Sequence, residues 1–188
     1  MTTILTTQIK CAAAAVAVLL FVSSFSRAAR ADAASWMYVG GGAASVESDA
    51  SAASTRSLMQ LDAGFGSNPN GTLVFGGIVR TLTHFGGGTD LALAQRTATG
   101  GFCRGDWGLA LDVGGVQRWW GEDSTGLIGT LTAGAPWGLQ LSLLASTGTN
   151  GGQMFGVSFG LDWARATAHR TTGTRWWPNR VLPVSAER

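Results

Sequence analysis

The residues most able to do chemistry in this chain are Asp62, Arg80, Arg96 and Asp112, with Arg118 and Asp162 further out along the sequence. If each stands on the same face of its β-strand, opposite charges become neighbours. Enclosed together they would satisfy one another as a packed plug, because an unpaired buried charge is costly. Left open, the same residues would make a charged constriction for ions or protons. A catalytic alternative rests on His84 and Asp90, which face each other across the short run Gly86-Gly87-Gly88. Hydrolysis by a nucleophile needs a hydroxyl or thiol placed beside the base. No His-x-Ser occurs, His169 is followed by Arg170 and two threonines, and no pair of carboxylates stands out. The expectation is therefore a protein that is not an enzyme and carries no cofactor or metal. Cys103 reads as a bystander in a turn, with no ligand partner at metal-binding spacing. The glycine run does not open a helix, so it is turn material and not a phosphate loop.

The elements that would hold these charges are short alternating segments. In Asp106–Trp119, residues Trp107, Leu109, Leu111 and Val113 are apolar, whereas Asp106, Gly108, Ala110, Asp112 and Gly114 are charged or small. Period two is the mark of a strand with one greasy face. At ~3.3 Å per residue and a tilt of about 40°, the stretch between Trp107 and Trp119 climbs roughly 30 Å, the apolar thickness of a bilayer. Similar patterns are predicted over 36–46, 58–66, 72–85, 90–99, 127–135, 139–146 and 154–166, giving about eight strands. Polar or Gly-rich connections separate them: a loop over 47–57, the turn SNPNG at 67–71, turns over 100–105 and at APWG, and loops in GEDSTG and STGTNGG. In 72–85 both faces carry apolar groups, which predicts a bulge at Gly76-Gly77 that changes face midway. If Phe75, Val79 and Phe85 face out, Arg80 and His84 face in.

Residues 1–31 read as a secretory signal peptide: Lys10, an apolar run over 11–25, and Ala29-Arg30-Ala31 as a small-x-small cleavage site. Lys10, Arg27 and Arg30 leave with it, taking the formal charge from +2 to −1 and leaving no lysine. The scattered arginines that remain lack the footprint of a nucleic-acid binder. Cys11 leaves too, so Cys103 has no partner for an internal disulfide. Residues 32–170 form one predicted domain, an all-β up-and-down antiparallel barrel. Residues 171–188, with Trp176-Trp177 and two prolines, read as a flexible periplasmic tail.

The last predicted strand carries Gly156 followed by Phe159, Leu161 and Trp163. In this and in its succession of alternating strands, the chain resembles the small bacterial outer-membrane barrels of the OmpA and OmpX type, although residues 164–188 extend past the usual terminal aromatic. The resemblance implies a transmembrane barrel in the bacterial outer membrane, contact with outer-membrane lipid, insertion by the barrel-assembly machinery and a monomeric state. Trp36, Tyr38, Phe65, Trp107, Trp137 and Trp163 would then mark one membrane interface, along with Phe102. Trp119 and Trp120 would mark the other, with Phe85 and Phe155. The function expected is structural or surface-interacting, with a packed polar lumen. The alternatives are a narrow pore for ions or small solutes and a soluble periplasmic lipocalin-like binder, which would turn its apolar face inward.

Overall fold

In a computed structural model of the chain, which describes residues 33–48 and 51–167, the alternating segments become eight antiparallel strands closed into one barrel. They are β1 (Ser35–Ser48), β2 (Ser51–Gly66), β3 (Leu73–His84), β4 (Thr89–Thr99), β5 (Gly108–Arg118), β6 (Ser124–Gly134), β7 (Leu139–Gly148) and β8 (Gln153–Asp162). Each strand pairs with its neighbour in sequence. β8 returns to β1 through the ladder from Tyr38↔Asp162 to Glu47↔Gln153. Closure leaves no unpaired edge. Residues 1–32 and 168–188, which hold the predicted signal peptide and tail, lie outside the described residues.

Directly opposed residues of an antiparallel ladder share a face, so an uninterrupted register carries one inside–outside phase around the whole barrel. Here the only shift falls between Val46 and Ser48. Through the paired body of all eight strands, odd-numbered side chains point out and even-numbered ones point in. The outer surface is thus Leu61, Phe75, Leu93, Leu111, Leu131, Leu143, Phe159 and their like, all exposed. Among the odd-numbered positions of the described strands, Glu47 at the end of β1 is the only ionisable residue. The interior holds the ionisable groups together with two apolar layers. One is built from Trp36, Val74, Ile78, Ala98, Phe102 and Ala110, the other from Val46, Leu58, Leu82, Ile128, Leu144 and Met154.

Those apolar layers explain why 72–85 carries apolar groups on both faces. Val74, Ile78 and Leu82 fill the lumen, and the β3 ladders run past Gly76-Gly77 without a bulge. Gly76 is required for another reason: a Cβ there would lie 2.7 Å from the Trp36 ring, and one on Gly66 2.4 Å from it. Trp36 and Tyr38 are correspondingly 2% exposed and project into the barrel, which corrects their expected place at a membrane interface. Their even positions follow from the outward Met37 and Val39. Phe102, fully buried, is corrected likewise. The predicted turn over 100–105 contains a short helix, α1 (Gly100–Cys103), which folds under the barrel end and buries Phe102 and Cys103.

Two further expectations change. The polar segment 47–57 is not one loop, because Ala, Ser and Thr continue the strands as hairpin arms paired at Ala44↔Arg56, Ser45↔Thr55 and Val46↔Ser54. The last strand does not run to residue 166: β8 stops at Asp162 and a helical turn, α2 (Trp163–Thr167), folds across the same barrel end as α1. That is the lower end, where the turns 67–72, 100–107 and 135–138 also lie. The upper end holds the remaining hairpin connections.

Candidate functional site

At mid-height the register sets Asp62 of β2 opposite Arg80 of β3, and Arg96 of β4 opposite Asp112 of β5. Arg80 Nε and Nη2 donate to the two Asp62 oxygens at 2.8 and 2.7 Å, and Nη2 also reaches Asp112 Oδ2 at 2.7 Å. Arg96 Nε and Nη2 donate to Asp112 Oδ1 and Oδ2 at 2.7 and 2.8 Å, with Asp62 a further 3.6 Å contact. Paired forks of this kind are the strongest charge-assisted geometry arginine offers. The structure thus brings Asp62, Arg80, Arg96 and Asp112 into one cluster of balanced charge, each side chain at most 1% exposed. Small neighbours leave the room: Ala92 is opposite Arg80 on one side, and Gly76 is opposite Arg96.

From the cluster a chain of hydrogen bonds crosses the lumen. Arg80 Nη1 donates to Thr130 Oγ1, and Gln60 Nε2 donates to both Asp62 oxygens at 3.1 and 3.0 Å. Ser158 donates to Gln60 Oε1 at 2.6 Å, and Tyr38 meets Ser158 at 3.1 Å. The network therefore connects β4 and β5 to β8 and β1 on the far wall. Arg96 Nη1 has no hydrogen-bond partner among the described residues, but its guanidinium carbon lies 5.2 Å from the Trp36 ring centre and 5.6 Å from that of Phe102. A cation over an aromatic face recovers part of what that N–H loses on burial.

Arg118 and Asp162 do not join this cluster. Arg118, near the upper end, donates through Nη2 to Asp90 Oδ2 at 2.9 Å and through Nε to Asp90 Oδ1 at 3.1 Å. Asp90 also accepts from Trp120 Nε1 at 2.8 Å and meets His84 Nε2 at 3.2 Å. His84 Nδ1 is buried without a partner among the described residues. Asp162 sits at the lower end, where it accepts from Gln140 Nε2 at 2.9 Å and from the backbone N–H groups of Met37 and Arg165. The fully buried Arg165 reaches back from α2 and donates to the carbonyls of Phe102, Leu139, Asp106 and Ala135. Burial pulls its guanidinium down to about 10, with Asp162 opposing, so it is charged at neutral pH. Burial pushes the nearby Cys103 thiol up to about 11. Cys103, in the segment predicted as a turn, is an enclosed part of the lower closure.

Among the aromatics, Phe65, Trp107, Trp137 and Trp163 stand exposed toward the lower end and Phe85, Trp119 and Phe155 toward the upper end. Trp120 is corrected: it turns over the upper mouth, its ring centre 4.8 Å from the Arg118 guanidinium carbon and 5.2 Å from that of Arg56. Sequence reasoning missed Tyr38, Gln60, Thr130, Ser158 and Arg165 as network members. Their common even numbering would have found the strand residues, and nothing local marks Arg165.

The fold and site together define a class: an eight-stranded up-and-down barrel, apolar outside, with a buried salt-bridge network within. No protein-family model, no curated protein and no solved structure matches the chain.

Proposed function

We propose that this chain is an outer-membrane barrel of the OmpA/OmpX-like kind, with a structural or surface-interaction role and a lumen that does not conduct. The observation that carries this reading is the inverted distribution of charge. Large apolar side chains cover the outside of every strand, while Asp62, Arg80, Arg96 and Asp112 are sealed inside. A soluble lipocalin-like binder needs the reverse arrangement. In water this surface would be an apolar patch far beyond the few hundred Å² that soluble monomers expose, whereas in lipid it is the required solvent contact. The aromatics at both rims suit the two interfaces of a bilayer. Insertion by the barrel-assembly machinery goes with the same reading, since β8 presents Phe155, Val157, Phe159 and Leu161 outward.

An eight-stranded barrel has an interior just wide enough for its own side chains. Here that interior is occupied by a polar layer between two apolar ones, which supports a closed lumen over the pore alternative. Two measurements test the proposal. Cell fractionation should recover the mature chain with the outer membrane, and purified protein in a planar bilayer should show no steady conductance near neutral pH. Recovery in the soluble periplasm without detergent would overturn the membrane reading. A steady ion-selective current would promote the pore.

A further inference from the structure

At the upper mouth the ends of β1, β2 and β5 and the connections at 86–87 and 120–122 line a partly open cavity of about 290 Å³, with Glu47, Ser54, Arg56, Arg118, Trp120 and Glu122 among its walls. Its walls are held in place by bonds that need no ligand. The Trp120 indole is anchored to Asp90, Arg56 Nη1 donates to the Gly86 carbonyl at 2.6 Å, and Arg56 Nε donates to Ser54 Oγ at 3.3 Å. The 86–88 loop packs down on the indole so closely that a Cβ on Gly88 would lie 2.3 Å from Trp120. The residues lining the cavity also keep polar groups without a partner among the described residues. Arg118 commits Nε and Nη2 to Asp90 and leaves Nη1 without a hydrogen bond among the described residues, as Arg56 leaves Nη2. Glu47 and Glu122 are exposed acceptors on the same lining.

The charge pattern selects the ligand. An anion would find Arg118 already engaged by Asp90 and would meet two carboxylates, and a cation would meet two guanidiniums. A neutral polyhydroxyl ligand suffers neither penalty. Each hydroxyl can accept from a guanidinium N–H and donate to a carboxylate. The cavity stands at the small end of ligand pockets, about 300–1,000 Å³, a size suited to one hexose ring. We propose that this mouth pocket binds a single neutral sugar residue. That the pocket opens to the cell exterior rests on the membrane reading above, but the binding itself does not.

The test uses the mature chain refolded in micelles of a detergent with no sugar headgroup, titrated with the methyl glycosides of glucose, galactose and N-acetylglucosamine and followed by saturation-transfer NMR. At least one should bind saturably with a dissociation constant of about 1 mM. Arg56→Ala should weaken it about tenfold or more, whereas Arg104→Ala at the lower end should leave it unchanged. Glu122→Gln, at an exposed position, replaces Arg56→Ala if the latter fails to fold. Absence of saturable binding by the folded protein overturns the proposal. So does sugar binding that neither Arg56→Ala nor Glu122→Gln weakens. Phosphate or choline binding in preference to every glycoside would also overturn it, in favour of a charged ligand. Sugar binding by a chain that fails to enter membranes would leave the pocket assignment standing and remove only the membrane reading.

Discussion

Replacing Asp112 by alanine removes the carboxylate that takes two hydrogen bonds from Arg96 and one from Arg80, all between 2.7 and 2.8 Å. The loss is unevenly shared. Arg80 keeps both oxygens of Asp62, at 2.8 and 2.7 Å, whereas Arg96 retains only Asp62 Oδ2 at 3.6 Å. Because these side chains are 0–1% exposed, water does not screen the resulting charge. Breaking a buried pair by removing one partner costs about 3–5 kcal/mol, while removing both partners together is often near neutral. Asp112→Ala should therefore destabilise the barrel by about 3–5 kcal/mol, and adding Arg96→Met should recover at least about 2 kcal/mol of that. Equilibrium urea unfolding in lipid vesicles, read by tryptophan fluorescence, measures both variants and the Arg96→Met single mutant needed to close the cycle. A single-mutant cost below about 1 kcal/mol, or a double mutant less stable than Asp112→Ala, would refute the view that the cluster is a mutually neutralising plug.

The other predictions probe different surfaces. Leu111→Arg, on the exposed face one residue from Asp112, should cost about 2–4 kcal/mol near the midplane of a vesicle membrane; refolding as stable as the parent would mean that this face does not meet lipid. Native protein should leave Cys103 unreacted with a thiol reagent applied from either side of the membrane, and unfolding should expose it; fast labelling of the folded state would contradict its 1% exposure. Because burial raises the thiol from 9.0 to about 11, the unfolded chain releases this proton first, so stability should fall as pH rises through that interval. Cys103→Ala should reduce that fall, and an unchanged pH profile would argue against the shift. Gly42→Val should block barrel closure, since even a Cβ there would lie 1.8 Å from the Val157 carbonyl oxygen across the β1–β8 seam; normal refolding yield would show that the seam can open to accept it.

Legibility in the sequence followed from how local the cause was. The phase of β5 could be read directly, because Leu109, Leu111 and Val113 alternate with Ala110 and Asp112 in a single stretch. The four central charges could be grouped for the same reason. The inward place of Trp36 and Tyr38 was not legible because an aromatic near a strand end suits an interface and a glycine-lined gap in a narrow lumen equally well. The deciding facts, the gaps left by Gly66, Gly76 and Gly40, lie on other residues. The supposed bulge at Gly76-Gly77 failed for a related cause: apolar groups on both faces signalled two interior apolar layers and not a change of face. The short helices under the barrel carry too few residues for any period to register, and Arg165 acquires its four carbonyl partners only when distant turns converge.

Arg165 also ties parts of the chain that no single hairpin joins. Its acceptors belong to the 100–107 and 135–139 segments, all of which precede it in the chain, and it follows the strand that must pair with β1 to complete the ring. The lower end is therefore joined by one side chain across three segments that are distant in sequence. A chain lacking its last few described residues would keep every hairpin but leave those carbonyls, and the Phe102 ring 4.3 Å from the guanidinium carbon, without their cation. The final turn thus works as a clasp: it adds no strand to the barrel, yet it holds two separate turns of the lower end to the segment that follows β8.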